Sequence, residues 1–247
     1  MAAGDILLPR QAELQPDLMG GKVVFNEEQH KYHWVEDGEE IPLTSASQII
    51  HSLGLVDYSG VPKSALAIGT ARHLATEVHD MGGTEAEAVA SSGEEFVEDT
   101  EPALAGWKLF LSDVQPEIEF VEVRVASKVQ AIAGTIDRVA IVDGHRAIVD
   151  VKGVSSSGTY GIQTALYGLM FEAVTGLEVH SLYTVHLNKH GSYKLRSWDY
   201  AEYAEYAKAA VVMSKWRSGE IKMVTSPVRS AMGTLSRFTE KHPIRED

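Results

Sequence analysis

The chain has 247 residues, 44% of them hydrophobic, with no cysteine and a formal net charge of -13. This is enough chain for a full core and near the upper size of one unit, so residues 1–247 are read as a single domain. No apolar run approaches the roughly 18 residues of a membrane helix, and no basic-then-apolar leader opens the chain, so a soluble, cytoplasmic protein is expected.

Residues 1–20 show no sustained period and read as an N-terminal arm, and 220–247 as a C-terminal tail. Lys22 to Trp34 alternates as strands do, with a turn near Asp37-Gly38. A helix is expected from Thr44 or Ser45, and a second behind Pro62, running through Gly69-Thr-Ala-Arg-His73 to about Asp80. Between Thr84 and Glu101 seven acids surround a Ser-Ser-Gly, which reads as a solvated flexible loop. A short helix follows from Pro102 to Ser112.

Three Val- and Ile-rich strands are predicted at about 118–127, 132–142 and 146–153, then a helix over Gly158 to Thr175. Strands near 179–188 and 192–198 precede an amphipathic helix from an Asp199 cap to about Arg217. The order fits an α/β (α+β) fold, a central mixed β-sheet flanked by helices.

Charge is unevenly spread. Residues 1–144 carry 9 basic and 25 acidic side chains, and residues 145–247 carry 13 basic and 10 acidic. A basic second half is compatible with a polyanionic ligand, although most of its charges, such as Lys189, Lys194, Lys208, Lys215 and Arg217, read as ordinary solvated groups.

The informative segment is Gly134 to Lys152. Its Asp143-Gly144 pair signals a two-residue hairpin turn with positive φ at both positions. In that register Val142 faces His145, and Asp137 stands opposite Asp150 with both side chains on one face. Lys152, two residues on, projects from the same face. Two aspartates facing each other among Ile, Val and Ala repel and lose hydration unless something positive lies between them. A divalent cation does this, and without cysteine only carboxylates and histidines remain to hold it, which favours hard ions such as Mg²⁺ or Mn²⁺. An acid-x-Lys pattern alone is weak; Glu220-Ile221-Lys222 also fits it and reads as a solvated segment.

Two further pairs join this core. His73 lies one helical turn before Glu77, and Gln163 and Tyr167 are spaced i, i+4 on the helix after Lys152. The series Gly-x-x-x-His73, Gly-x-x-Asp137, Asp150-x-Lys152 and Gln163-x-x-x-Tyr167 resembles the RecB-type branch of the PD-(D/E)XK nuclease superfamily. His30 to Ile50, with Tyr32, Pro42 and Ser45-Ala-Ser-Gln, is similar to the front of phage and mitochondrial exonucleases of that branch. The motif-bearing core spans about residues 30–170.

The resemblance implies a restriction-endonuclease-like core and a DNA exonuclease that hydrolyses phosphodiester bonds in phage recombination, repair or end processing. The alternatives are an endonuclease, or a catalytically silent DNA-end-binding or recruitment protein on the same fold. It further implies Mg²⁺ or Mn²⁺ on His73, Asp137, Asp150 and the carbonyl of Val151, with Lys152 orienting water. Gln163 and Tyr167 are to hold Lys152 and contact the substrate strand, while Tyr32, Ser45 and Ser47 are candidates for substrate contact. Glu77 and Glu122 are candidates for a second ion, although Glu122 reads more simply as a strand residue beside Arg124. The partners implied are DNA and a recombinase or single-strand-binding protein. The iron–sulfur subclass is excluded, because it needs four cysteines.

Overall fold

The computed structural model describes residues 22–220 except 27, 28, 30, 57, 58 and 154–156, so the expected arm and nearly all of the tail lie outside the described residues. Strands β1 (Val23–Asn26), β2 (Lys31–Glu36) and β3 (Glu39–Ser45) form an antiparallel meander. Asp37 and Gly38, which join β2 to β3, both have positive φ, 52° and 81°, as a two-residue hairpin requires. Ser45 ends β3 and caps α1 (Ala46–Ser52) through a reciprocal box with Gln48.

Helix α2 (Lys63–Asp80) starts behind Pro62, as read from the sequence. The acidic stretch is not a loop. Thr84 and Glu87 form a capping box on α3 (Glu85–Ser91), a 3₁₀ turn covers Glu94–Phe96, and α4 runs Val97–Val114 with Pro102 inside it. The physical reason is local. Acids in a first helical turn favour the helix by facing its positive end, and the Thr-x-x-Glu spacing supplies the cap. Pro102 therefore lies in the second turn of a longer helix, where it gives up one backbone hydrogen bond, and does not start one.

Strands β4 (Glu117–Ser127), β5 (Ile132–Val142) and β6 (His145–Lys152) match the predicted runs within a residue. Helix α5 (Thr159–Thr175), strands β7 (Ser181–Leu187) and β8 (Tyr193–Asp199), and helix α6 (Tyr200–Arg217) follow. Asp199 caps α6 by accepting from the Glu202 backbone N–H at 2.7 Å. The eight strands make one mixed sheet in the order β1-β2-β3-β5-β6-β7-β8, with β4 paired to β5.

Helices α1, α5 and α6 cover one face around Phe120, Ile148, Leu166, Met170 and Phe171. Helix α4 covers the other, with Trp107 and Phe110 against Val149, Val151 and Val185. Strand β6 alternates between the two. Val149 and Val151 face α4, whereas Ile148, and with it Asp150 and Lys152, faces α5.

One edge of β5 is paired to β4 along most of its length, and its other edge is shared. Thr44 and Ser45 pair in parallel with Ile132 and Ala133, and β6 pairs antiparallel from Arg138 to Val142. Between them, among the described residues, Gly134 to Asp137 have no ladder partner on that edge. The sheet is split at this point.

Beside the split lies a buried ionic network. Arg138, with no exposed surface, donates from Nε to Asp80 Oδ2 at 2.6 Å and from Nη1 to the Asp137 carbonyl at 2.6 Å and to Glu122 Oε1 at 3.2 Å. Asp80 also accepts from Trp107 Nε1 at 2.8 Å, and the Trp107 ring lies 5.5 Å from the guanidinium. Burial pushes the Asp80 carboxyl up, but Arg138, His79 and Trp107 outweigh it and hold it below its ordinary value. Asp80→Ala leaves the arginine charge buried without its main partner and is expected to cost about 3–5 kcal/mol, measured by urea unfolding. Asp80→Leu combined with Arg138→Met is expected to cost less than the two single changes added together.

Candidate active site

The hairpin between β5 and β6 has the predicted geometry. Val142 pairs with His145, and Asp143 and Gly144 have φ of 48° and 78°. The ladder stops at Arg138 and Val149, one pair short of Asp137 and Asp150. The two aspartates are therefore in the predicted register but outside the ladder. Asp137 Oδ2 instead accepts the Val151 N–H at 2.7 Å, so a carboxylate takes the place of a backbone partner.

The same Asp137 oxygen lies 3.3 Å from His73 Nδ1 on α2. Enclosure lowers the imidazole pKa, countered by Asp137 and by a hydrogen bond to the Val151 backbone. The net shift favours neutral imidazole, the form that binds metals. Ligand atoms of His73, Glu122 and Asp137 all lie within 4.8 Å of one another. Glu122 is therefore not a plain strand residue beside Arg124. It sits in β4 with a φ of 48°, a left-handed conformation that costs a non-glycine residue energy and tends to occur at functional sites. Burial and the Asp137 charge raise its carboxyl well above the ordinary value, against the pull of Arg138. Glu77, one turn beyond His73, is raised mainly by burial and also by Asp137.

Asp150 is 1% exposed, and its Oδ2 lies 2.6 Å from Lys152 Nζ. Among the described contacts this ammonium is the partner of that oxygen, and it leaves the negative charge of the neighbouring Asp137 uncompensated by Lys152 alone. Burial raises the Asp150 carboxyl to about 7, with Lys152 pulling down and Asp137 pushing up. Burial alone would lower the Lys152 ammonium, but Asp150 and Asp137 outweigh it and hold it above its usual value. Crowded carboxylates and a neutral imidazole together suit a divalent cation. His73, Asp137 and Glu122 would hold it; Asp150, expected as a ligand, is not part of this cluster and faces Lys152 instead.

Tyr167 is 7% exposed, and its hydroxyl accepts from Gln163 Nε2 at 2.9 Å. Among the described contacts neither side chain reaches Lys152. The ammonium instead rests 5.3 Å from the centre of the Tyr160 ring, so Tyr160 takes the supporting place expected of Gln163 and Tyr167. Tyr167 has a different steric role. A Cβ on Gly134 would stand 2.5 Å from Tyr167 Cε1, which explains why a glycine precedes the aspartate by three residues.

The three residues expected to touch substrate are engaged in the fold. Tyr32 is 8% exposed and its hydroxyl is 2.8 Å from Thr135 Oγ1. Ser45 Oγ accepts the Gln48 N–H at 3.1 Å as a helix cap and lies 3.0 Å from Ser47 Oγ. Arg138, Asp80 and Trp107 were not found by sequence reasoning, because their partners lie far apart in the chain. The Glu122 signal was weak: an acid two residues before Arg124 in a Val-rich run.

A family model of the PD-(D/E)XK nuclease superfamily matches residues 58–226, more than half of the chain. The chain belongs to the PD-(D/E)XK nuclease superfamily. It is thus a hydrolytic nuclease of a group that acts on DNA and generally uses divalent metals, and its mixed sheet is the restriction-endonuclease-like core of such enzymes. Among solved structures, a candidate exonuclease from Eubacterium rectale is 16% identical with a TM-score of 0.48, covering 73% of this chain and 83% of its own. A protein named SSO0001 is 12% identical with a TM-score of 0.27, covering 60% and 73%. Among curated proteins none matches.

Two measurements probe this PD-(D/E)XK site without substrate. A carboxyl with a raised folded pKa gives its full stability below the unfolded pKa, near 4, and loses it as pH rises through the folded value, here about 7. In EDTA, Asp150→Asn is therefore expected to gain roughly 2 kcal/mol relative to the parent between pH 5 and pH 8, read by urea unfolding. In the parent, Asp150 and Asp137 outweigh burial and keep the Lys152 titration above this window. The second measurement compares two glycines by thermal denaturation. Gly134→Ala is expected to cost about 1–3 kcal/mol by displacing Tyr167. Gly69→Ala, which meets no atom within 4 Å, is expected to gain up to about 1 kcal/mol, the helix preference of alanine.

Proposed function

We propose that the chain is a metal-dependent DNA exonuclease with Asp137, Asp150 and Lys152 as its catalytic residues and Mg²⁺ or Mn²⁺ as its ion. The observation that carries this reading is the convergence at the split in β5 of His73, Glu122 and Asp137 with the Asp150–Lys152 pair. When bound, the ion supplies Lewis acidity to a phosphate oxygen and a more acidic water. Asp137 and Glu122 would hold the ion, whose charge would favour the ionised form of Glu122, and His73 would add a neutral donor. Asp150 Oδ2 faces the Lys152 ammonium at 2.6 Å. Lys152, kept protonated by the two aspartates, orients the attacking water and balances charge building on the phosphoryl group, and is not the base. The Tyr160 ring lies 5.3 Å from the ammonium, and the Gln163–Tyr167 pair supports the wall beside Gly134.

The exonuclease reading, the RecB-type branch, and a place in phage recombination, repair or end processing rest on the four motifs and on the likeness of residues 30–50 to phage and mitochondrial exonucleases. In that setting the protein works in the cytoplasm of a host cell, on DNA ends, beside a recombinase or a single-strand-binding protein.

End-labelled linear DNA and closed-circular DNA, incubated with Mg²⁺, Mn²⁺ or EDTA, test the proposal. Metal-dependent loss of linear DNA alone is expected, and Asp150→Ala and Lys152→Ala should each lower its rate by a factor on the order of 10²–10³ or more. Cutting of circles makes the protein an endonuclease. End binding without any cutting makes it a recruitment protein and removes the catalytic assignment.

A further inference from the structure

Arginine pairing singles out one residue of the sheet. Of the four arginines among the described residues that are not solvent-exposed, three have a carboxylate: Arg72 has Asp99, Arg138 has Asp80 and Arg146 has Glu119. Arg196 on β8 makes no ion pair among the described residues, and its Nε is buried without a hydrogen-bond partner. A charged donor taken out of water without an acceptor costs free energy, so the position suits an anion from outside the chain.

Strand register puts this arginine beside the proposed catalytic pair. Asp150 is opposite Thr184 and Thr184 is opposite Arg196, while Lys152 is opposite His186 and His186 is opposite Lys194. Directly paired residues point to one face of a sheet, so Arg196 and Lys194 share the face of Asp150 and Lys152, two strand spacings or about 10 Å away. The residues between are uncharged or basic in type and tied to the fold. Thr184 Oγ1 lies 3.1 Å from His186 Nε2 and accepts from Trp198 Nε1 at 3.3 Å, and His186 Nδ1 lies 3.0 Å from the Gly153 carbonyl. In a chain of net charge -13, β7 and β8 together contain one acid, Asp199, which is engaged as the cap of α6 at the end of β8. Strand β8 is the last of the sheet, so a ligand that crosses it leaves the site directly toward solvent.

We propose that Arg196, with Lys194 beside it, holds a backbone phosphate of the DNA strand near the one that is cut, so that the strand runs from the site across β6, β7 and β8. The inference rests on the nuclease reading of Asp137, Asp150 and Lys152 and adds the route of the substrate strand. The half-buried guanidinium supplies a fixed donor to a phosphate oxygen, and the exposed Lys194 ammonium adds charge without fixed geometry.

Binding by the full chain is measured in EDTA, by fluorescence anisotropy of an end-labelled duplex with a single-stranded overhang. Arg196→Gln is expected to weaken binding about tenfold and to make its salt dependence shallower by about one phosphate contact, whereas Arg196→Lys keeps the slope. Lys194→Gln, at an exposed position that the fold does not depend on, is expected to weaken binding about threefold. Lys208→Gln, paired with Glu205 on α6, is expected to leave it unchanged. A single methylphosphonate, which removes the charge of one phosphate, locates the contact: at one position it is expected to weaken the parent and not Arg196→Gln. Unchanged affinity and slope in Arg196→Gln overturn the inference. So does a methylphosphonate profile that is the same in both proteins, which makes Arg196 a residue of the fold. Cleavage plays no part in these readings, so a parent that binds DNA without cutting it fails the nuclease proposal alone, and one that binds no DNA overturns both.

Discussion

Carboxylates crowded inside a sheet are the constraint around which the rest of this structure is arranged. Asp137, Glu122 and Asp150 all lie where water is scarce, and burial pushes the last two toward the protonated form. Each has its own counterpart. Asp150 has Lys152, Glu122 has Arg138, and Asp137 has the Val151 N–H and the His73 ring. Arg138 is in turn anchored by Asp80 on α2 and stacked near Trp107 on α4. Two helices that precede β5 in the chain are thereby tied to the strand that carries the site.

Such an arrangement is poor for stability. Buried ion pairs seldom outperform apolar packing. The buried Asp150 carboxyl and the left-handed Glu122 backbone are local costs that a purely structural sheet would have no reason to bear. A divalent cation would relieve the repulsion directly, so the fold stores a demand for positive charge at the place where the sheet opens.

That opening follows from how β5 shares an edge. With β3 ending at Ala133 and β6 pairing only from Arg138, four residues of β5 are left without a backbone ladder on that side. Side chains fill the gap: Asp137 takes a backbone N–H, and the Tyr167 ring sits against Gly134. Two motifs separated by about 30 residues of sequence are thus one steric unit.

Much of this is legible in the sequence. Alternation and the Asp143-Gly144 turn set the β5–β6 hairpin and its register, because side-chain period and turn conformation are local properties. The Asp199 cap and Pro62 fixed two helix starts for the same reason. The acidic segment was misread although its signal was present. Thr84-x-x-Glu87 is a capping box, and the density of charge obscured it. By itself the amino-acid order determined that Asp137, Asp150 and Lys152 share a face and that His73 and Gln163 lie on helices near them in sequence order. Only the tertiary structure decided that Glu122 joins His73 and Asp137, that Arg138 is held by Asp80 and Trp107, that Tyr160 stands over Lys152, and that Ser45 and Tyr32 serve the fold. Those contacts join residues up to about 100 positions apart. Their geometry is set by how helices pack on a twisted sheet, which no local pattern encodes.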